Sequence, residues 1–212
     1  MKILIWDFNG TIIDDGNLCL DIENTMLQKR GKRADFTMEE YRDLFCFPVK
    51  EYYKKIGYTF GKGDESFEEL SVEFMELYNK GFHKVKLMTG FIDKIKEAKD
   101  LGYYNVIISA SKQSMLIEQC ETLKIKHYFD EILGIDNLLA GSKVEMAKNW
   151  LKNSNINSKD CKYIGDSLHD LEVARALNID ECYLISCGHQ SHRVLSAEYD
   201  RVFENLTDIK LS

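Results

Sequence analysis

An α/β fold, a doubly wound parallel sheet interrupted by an all-helical insert, follows from three features of this 212-residue chain. Short apolar runs that end in a chemically useful residue recur along it: Ile3 to Trp6 before Asp7, Val106 to Ile108 before Ser109, and Tyr163-Ile164-Gly165 before Asp166. Runs of this length without polar alternation are strands buried on both faces. Segments with helical spacing stand between the later runs, which is the strand-helix alternation of a parallel sheet. From Asp14 to about His83, by contrast, strand-like runs vanish and helical patterns follow one another. The chain is therefore expected to divide into an α/β core, residues 1–13 and 84–212, and a helical insert, residues 14–83.

The first strand stops abruptly at Asp7, at the carboxyl edge where parallel sheets place their chemistry. Asn9-Gly10 tolerates positive φ, so the chain can turn there and expose N–H groups beside the carboxylate. In the insert, Leu18, Ile22, Met26 and Leu27 form the stripe of a first helix that Gly31 ends. Thr37 and Glu40 have capping-box spacing and open a second. Pro48 fits the first turn of a third, which runs through Tyr52 and Ile56 to Gly57. Asp64 is placed to cap a fourth, whose apolar face carries Phe67, Leu70, Phe74, Leu77 and Tyr78; mutual packing is the plainest account of those aromatics. The core resumes with a helix over 91–101, a strand over 105–108, a helix over 112–123, a short strand over 131–134 and a helix starting near Ser142-Lys143. A strand over 162–165, a helix over 167–177 and a last strand over 182–185 complete it.

Composition narrows the functional classes. Hydrophobic residues at 44% and charged residues at 30% are ordinary for a globular domain, and no apolar run reaches the length of a membrane span. The N-terminal run is too short for a signal peptide and contains Asp7, so a cytoplasmic chain with no membrane contact is expected. A net charge of -7 argues against a nucleic-acid partner. Six scattered cysteines without a Cys-x-x-Cys pair indicate neither a zinc knuckle nor a redox motif, and they are expected to be reduced. No obligate protein partner is evident, and a small anionic substrate would need local cations or a metal.

The strand-end residues form a set more specific than any member. Asp7-Phe8-Asn9-Gly10-Thr11, Val106-Ile107-Ile108-Ser109, Lys143 on a helix, and Gly165-Asp166-Ser167-Leu168-His169-Asp170 resemble, in order and spacing, the four motifs of the haloacid dehalogenase-like (HAD) superfamily. The resemblance covers nearly the whole chain, with a Rossmann-like core and a helical cap, and is nearest to the phosphoglycolate phosphatase and β-phosphoglucomutase branch. It implies a phosphatase for a small phosphorylated metabolite, with Asp7 as nucleophile and Mg²⁺ held by Asp7, the Asn9 carbonyl and Asp166. Ser109 and the N–H groups around Gly10 and Ala110 would hold phosphate oxygens, Thr11 would fix the turn, Lys143 would offset negative charge, and Asp170 would orient metal-bound water. Lys50 on the cap is placed near the substrate. Electrostatics points the same way, since gathered carboxylates raise one another's pKa unless a cation joins them. Taken singly, Asp166 and Asp170 could merely cap the helix after Ser167. His169, His189 and His192 are expected to be solvated polar residues.

One position departs from the family pattern: residue 9 is Asn where phosphatases and mutases carry the acid/base Asp. An amide can neither protonate a leaving group nor activate water, a loss of roughly 10²- to 10⁴-fold for leaving groups that need a proton. Three readings stay open: a metal-dependent phosphatase that tolerates Asn9, a phosphonoacetaldehyde-hydrolase-like enzyme with a Schiff base on Lys50, Lys54 or Lys55, and a non-catalytic phosphate binder. Deamidation at Asn9-Gly10 would restore the missing Asp.

Overall fold

The computed structural model describes residues 1–135 and 143–212. Among them a six-stranded sheet runs in the order β5-β4-β1-β6-β7-β8, every neighbouring pair parallel. Its strands are β1 (Ile3–Trp6), β4 (Tyr104–Lys112), β5 (Glu131–Ile135), β6 (Cys161–Gly165), β7 (Glu181–Ile185) and the two-residue β8 (Val202–Phe203). Strand β1 lies in the middle, where the chain turns from building one side of the sheet to building the other. The crevice beyond the carboxyl ends there is where such sheets bind ligands.

Burial on both faces explains the unbroken apolar runs. Leu4 and Trp6 pack into one core layer with Phe91, Ile95 and Leu116, while Ile3 and Ile5 pack into the other with Tyr163, Val173 and Ala174. The first layer is covered by α5 (Phe91–Asp100) and α6 (Gln113–Thr122), the second by α7 (Lys143–Asn153), α8 (Leu168–Ala176) and the short α9 (His192–Ser196). The buried indole N–H of Trp6 donates to the Asn105 side chain at 3.1 Å, which satisfies two polar groups inside the sheet. Ser142, expected near the start of α7, lies outside the described residues.

Four helices stand between two short strands, β2 (Ile13–Asp14) and β3 (Lys86–Leu87), which pair antiparallel. They are α1 (Gly16–Lys29), α2 (Met38–Leu44), α3 (Val49–Lys55) and α4 (Phe67–Gly81), gathered around a separate apolar cluster that includes Ile22, Met26, Tyr41, Tyr52 and Leu70. The capping box of Thr37 and Glu40 forms as its spacing requires. The cap of α4 corrects an expectation: Ser66, not Asp64, occupies the position, with Glu69 closing a second capping box. Asp64 instead accepts from the Gly61 N–H at 2.7 Å. Ser66 and Glu69 have the same spacing as Thr37 and Glu40, so the signal was present. No helix of the described residues is long and apolar enough to cross a membrane.

Candidate active site

Three strand ends and one helix start converge below a cavity of about 540 Å³ between the sheet edge and helices α1–α4. Asp7 follows β1, and its N–H donates to the Ile164 carbonyl at 2.9 Å, which extends the sheet pairing by one residue and fixes the carboxylate at the edge. Asp166 follows β6, and Asp170 sits one turn into α8. Lys143 opens α7 and is buried, with its ammonium hydrogen-bonded to Asp7 Oδ1 and, at 2.6 Å, to Asp170 Oδ1. Ser109 is buried in β4, where the register shifts between Ile108 and Lys112, and its Oγ accepts from the Ser111 N–H at 3.1 Å.

The three carboxylates are not equivalent. Asp170 is saturated: Oδ1 accepts from Lys143 and the Tyr163 hydroxyl, and Oδ2 from the N–H groups of Asp166 and Ser167 and from the Ser167 hydroxyl. It therefore closes the capping box of α8 with Ser167 and also holds Lys143. Burial raises its pKa, but Lys143 and Ser167 overcome this and leave it below the usual carboxylate range. Asp7 goes the other way, because burial and the Asp170 charge push it up to about 8 against the pull of Lys143. Burial likewise lifts Asp166 to about 7 in spite of His189. One ammonium does not balance three gathered carboxylates, whose ligand oxygens lie within 4.8 Å of one another. The donor set, all hard oxygens short of positive charge, fits a divalent cation.

The turn after Asp7 corrects two expectations. Gly10 takes φ +71°, and a Cβ there would come 2.2 Å from Asp166 Oδ2, so glycine is required twice over. Its N–H is not open to a phosphate, however, since it donates to Asp15 Oδ1 at 2.9 Å. The Thr11 hydroxyl reaches Asp166 Oδ1 at 3.5 Å instead of closing the turn, while Ala110 lines the cavity. Asn9 is tied at both ends of its amide. Nδ2 donates to Asp15 Oδ2 at 2.8 Å and to the Tyr78 hydroxyl oxygen at 3.0 Å, and Oδ1 accepts from the Ser111 hydroxyl at 3.0 Å. With the Gly10 N–H bonded to Asp15, the attack that begins deamidation at Asn9 is geometrically opposed.

Asp15 and His189 are the residues that sequence reasoning missed. Asp15 is buried and accepts from Asn9, Gly10 and, at 2.7 Å, the Tyr78 hydroxyl. His189 is not a solvated loop residue. Its Nε2 lies 3.2 Å from Asp15 Oδ1, its Nδ1 2.7 Å from the Tyr41 hydroxyl, and its N–H donates to Asp166 Oδ2 at 2.5 Å. Burial opposes the imidazolium, yet Asp15, with Asp166 and Asp7 beyond it, raises the pKa to about 9. Asp15 is correspondingly held below the usual range by His189, Asn9 and Tyr78 against the effect of burial. The available signal was positional, since residues 186–191 follow β7 at the same sheet edge as Asp7 and Asp166. His192 is exposed at the start of α9, and the His169 ring stacks on Phe47 at 4.6 Å.

A strap joins this edge to α2. Arg42 donates to the carbonyls of Gly188 at 2.8 Å and Cys187 at 2.6 Å, Gln190 to that of Phe45 at 2.8 Å, and the Ser191 hydroxyl to Asp43 at 2.5 Å. Above the floor the cavity wall is apolar, with Phe45, Phe47, Phe67, Phe74, Met75 and Tyr78 facing inward. The aromatics of α4 thus do more than pack on one another. Lys50 does not join them: it is exposed, 5.0 Å above the Phe60 ring, and neither it nor Lys54 or Lys55 lines the cavity.

A family model described as haloacid dehalogenase-like hydrolase matches residues 4–184. A protein named phosphoglycolate phosphatase 1 from Pseudomonas aeruginosa is 26% identical over 215 residues, spanning 98% of this chain and 78% of that one. A phosphoglycolate phosphatase from Pseudomonas fluorescens is 24% identical, spanning 93% and 74%. Among solved structures, a haloacid dehalogenase-like hydrolase from Bacteroides fragilis superposes with a TM-score of 0.80 at 18% identity, over 98% of each chain. CbbY from Rhodobacter sphaeroides, solved in complex with phosphate, gives 0.72 at 19% identity, over 98% of this chain and 96% of that one. These superpositions establish the shared fold.

Proposed function

Since the chain belongs to the haloacid dehalogenase-like hydrolases, we propose that it is a Mg²⁺-dependent phosphatase of a small phosphorylated metabolite, working through an aspartyl-phosphate on Asp7. The observation that carries this reading is the placement of Asp7: it lines the cavity at the carboxyl end of the central strand, with Lys143 bonded to one carboxylate oxygen. In the same reading residues 14–83 act as a cap over the core of residues 1–13 and 84–212. Asp7, Asp166 and the backbone carbonyl of Asn9 would hold the cation, which when bound supplies charge against the phosphate oxygens and keeps both carboxylates ionised.

The protein's own groups account for the remaining steps. Lys143, anchored on Asp170, orients Asp7 and offsets charge on the transferring group. Ser109 and Ala110 border the place where the phosphate oxygens would lie. Asp7 Oδ2 attacks phosphorus, the bond to the leaving oxygen breaks with its electron pair, and water later releases inorganic phosphate from Asp7. Proton supply to the leaving oxygen is where this site is weak, because both Asn9 N–H groups are engaged by Asp15 and Tyr78. Substrates whose leaving group departs as an anion escape that handicap. The Schiff-base reading has no support, since the cap lysines stand outside the cavity.

The test is Mg²⁺-dependent hydrolysis of acetyl phosphate and of an alkyl phosphate by the native protein, Asn9→Asp and Asp7→Asn. Expected are ready cleavage of acetyl phosphate, poor cleavage of the alkyl ester, and a gain on the ester of about 10²- to 10⁴-fold in Asn9→Asp. Asp7→Asn should retain its fold by circular dichroism and lose all turnover. Activity surviving in Asp7→Asn would remove Asp7 as nucleophile, and inertness of the native protein toward acetyl phosphate would leave phosphate binding alone.

A further inference from the structure

Resting on the phosphatase reading, we infer that the substrates are phosphate monoesters of phenols: an uncharged aromatic ring fills the apolar half of the cavity, and its phenolate leaves without a proton donor. Two independent observations converge on this class, one from the wall and one from the floor.

The wall is mostly aromatic surface, and the one lysine that borders it among the described residues besides Lys143 on the floor, Lys112, is exposed at the rim. Phe45 and Phe47 meet edge to face with centroids 5.5 Å apart, Tyr53 and Phe67 do so at 5.7 Å, and Phe74 stacks on Tyr78 at 6.0 Å. Rings already tiled in this way present edges and faces to a further ring at the geometries aromatic pairs prefer. Phe47 and Met75, at 39% and 38% exposure, are two of the large hydrophobic side chains that the described residues leave open to solvent, and both border this cavity. Two hydroxyls on the wall are engaged elsewhere: that of Ser71 donates to the Phe67 carbonyl at 2.7 Å, and that of Tyr78 to Asp15. The buried Gln119 Oε1 has no partner among the described residues and can accept one hydrogen bond from a neutral donor but cannot pair an anion. Glu23, the acid that the described residues place on the wall, receives the Tyr52 hydroxyl, and burial pushes its pKa up to about 8, which favours its neutral form near pH 7. A substrate carboxylate lodged among these rings, away from the Lys112 rim, would leave water without a cation to pair it, and a set of sugar hydroxyls would find one free acceptor, Gln119 Oε1. At about 540 Å³ the cavity lies within the roughly 300–1,000 Å³ usual for small-molecule sites.

The floor selects on the leaving group. Asn9, whose amide is held by Asp15, Tyr78 and Ser111, has no proton to give an alkoxide. A phenolate needs none: the P–O bond to the ring breaks with its electron pair on oxygen, Asp7 takes the phosphoryl group, and the phenolate is protonated by solvent after release. Wall and floor therefore favour the same esters for different reasons.

Steady-state kinetics with Mg²⁺ separates the two. Phenyl phosphate and 1-naphthyl phosphate should exceed glycerol 3-phosphate and 2-phosphoglycolate in kcat/KM by about 10²-fold or more, the size of a missing general acid. Asn9→Asp should narrow that gap from the alkyl side. The wall is read by 4-carboxyphenyl phosphate, which keeps an aryl leaving group but carries an anion: its KM should be at least about tenfold above that of phenyl phosphate. Phe74→Ala should raise KM for naphthyl phosphate by a larger factor than it raises KM for acetyl phosphate. If acetyl phosphate is cleaved but 2-phosphoglycolate equals or beats the aryl esters, the aryl class is wrong and the phosphatase reading stands; loss of that activity in Lys112→Ala would place the glycolate carboxylate at the Lys112 rim. If acetyl phosphate and the aryl esters are all inert, both readings fail together.

Discussion

Along the floor of the cavity four ionisable side chains, Asp7, Lys143, Asp166 and Asp170, lie buried at the ends of rigid elements, each oriented by backbone or by another polar group. The wall a few residues above them is almost without charge, and its shape comes from rings that touch other rings. The floor is held by directional bonds whose partners are fixed by strand register, so a small displacement there is costly. The wall is held by contacts proportional to area, which tolerate a change of shape. The two halves should therefore answer differently to substitution, and the largest effects belong to the floor.

Lys143→Met is expected to destabilise the protein by about 3–5 kcal/mol in Mg²⁺-free urea melts, because it leaves Asp7 and Asp170 buried without their shared cation. Excess Mg²⁺ should recover part of that loss, and a variant as stable as the native chain would mean the floor is not charge-strained. Glu23 tests the wall. Its pKa rises from the ordinary 4.5 to about 8 on burial, so the folded state holds a proton that the unfolded chain has already lost between those values. The stability this confers is full below about 4.5 and disappears as pH rises through 8, at about 1.4 kcal/mol per unit. Glu23→Gln should flatten the decline in Tm between pH 5 and pH 8; parallel curves for the two proteins would contradict a neutral acid on the wall.

Gly188→Ala returns to the floor. A Cβ there would come 2.3 Å from Asp166 Oδ2 and 2.4 Å from the Gly10 carbonyl oxygen. The expected cost is about 1–3 kcal/mol of stability by denaturant melt, with activity falling further than stability, since the clash displaces an oxygen of the carboxylate proposed to hold the cation. Tyr41→Phe, which removes the hydroxyl facing His189 Nδ1, should cost about 1 kcal/mol.

The contrast between floor and wall also decides what could be read from the sequence. Strand β1 and its Asp7, β6 and its Asp166, and the box of Thr37 with Glu40 are local patterns: an apolar run and its terminator, or two residues three apart. These emerged as expected. Asp15 and His189 form a pair across 174 positions of chain, and neither residue carries a local pattern that marks it. A histidine after a strand reads as solvated until the fold brings Tyr41 and Asp15 against it. The role of Phe67 and Phe74 was hidden for another reason, because an apolar helix face looks the same whether it meets a neighbouring helix or an empty cavity. Strand β8, with two residues, is too short to leave any periodicity.

The strap between α2 and residues 187–191 has a thermodynamic consequence. The N–H of His189 grips Asp166 while its ring meets Tyr41, and Arg42 holds the carbonyls of Cys187 and Gly188 in the same short segment. The seat of α2 and the pose of Asp166 thus depend on the same five residues, and disturbing one would disturb the other. A ligand that steadies Asp166 would steady α2 through this segment, and any coupling so created acts by the same factor on binding at the floor and beneath the helices. The two halves of a substrate, bound by different chemistry, would report their presence to each other through five residues of backbone.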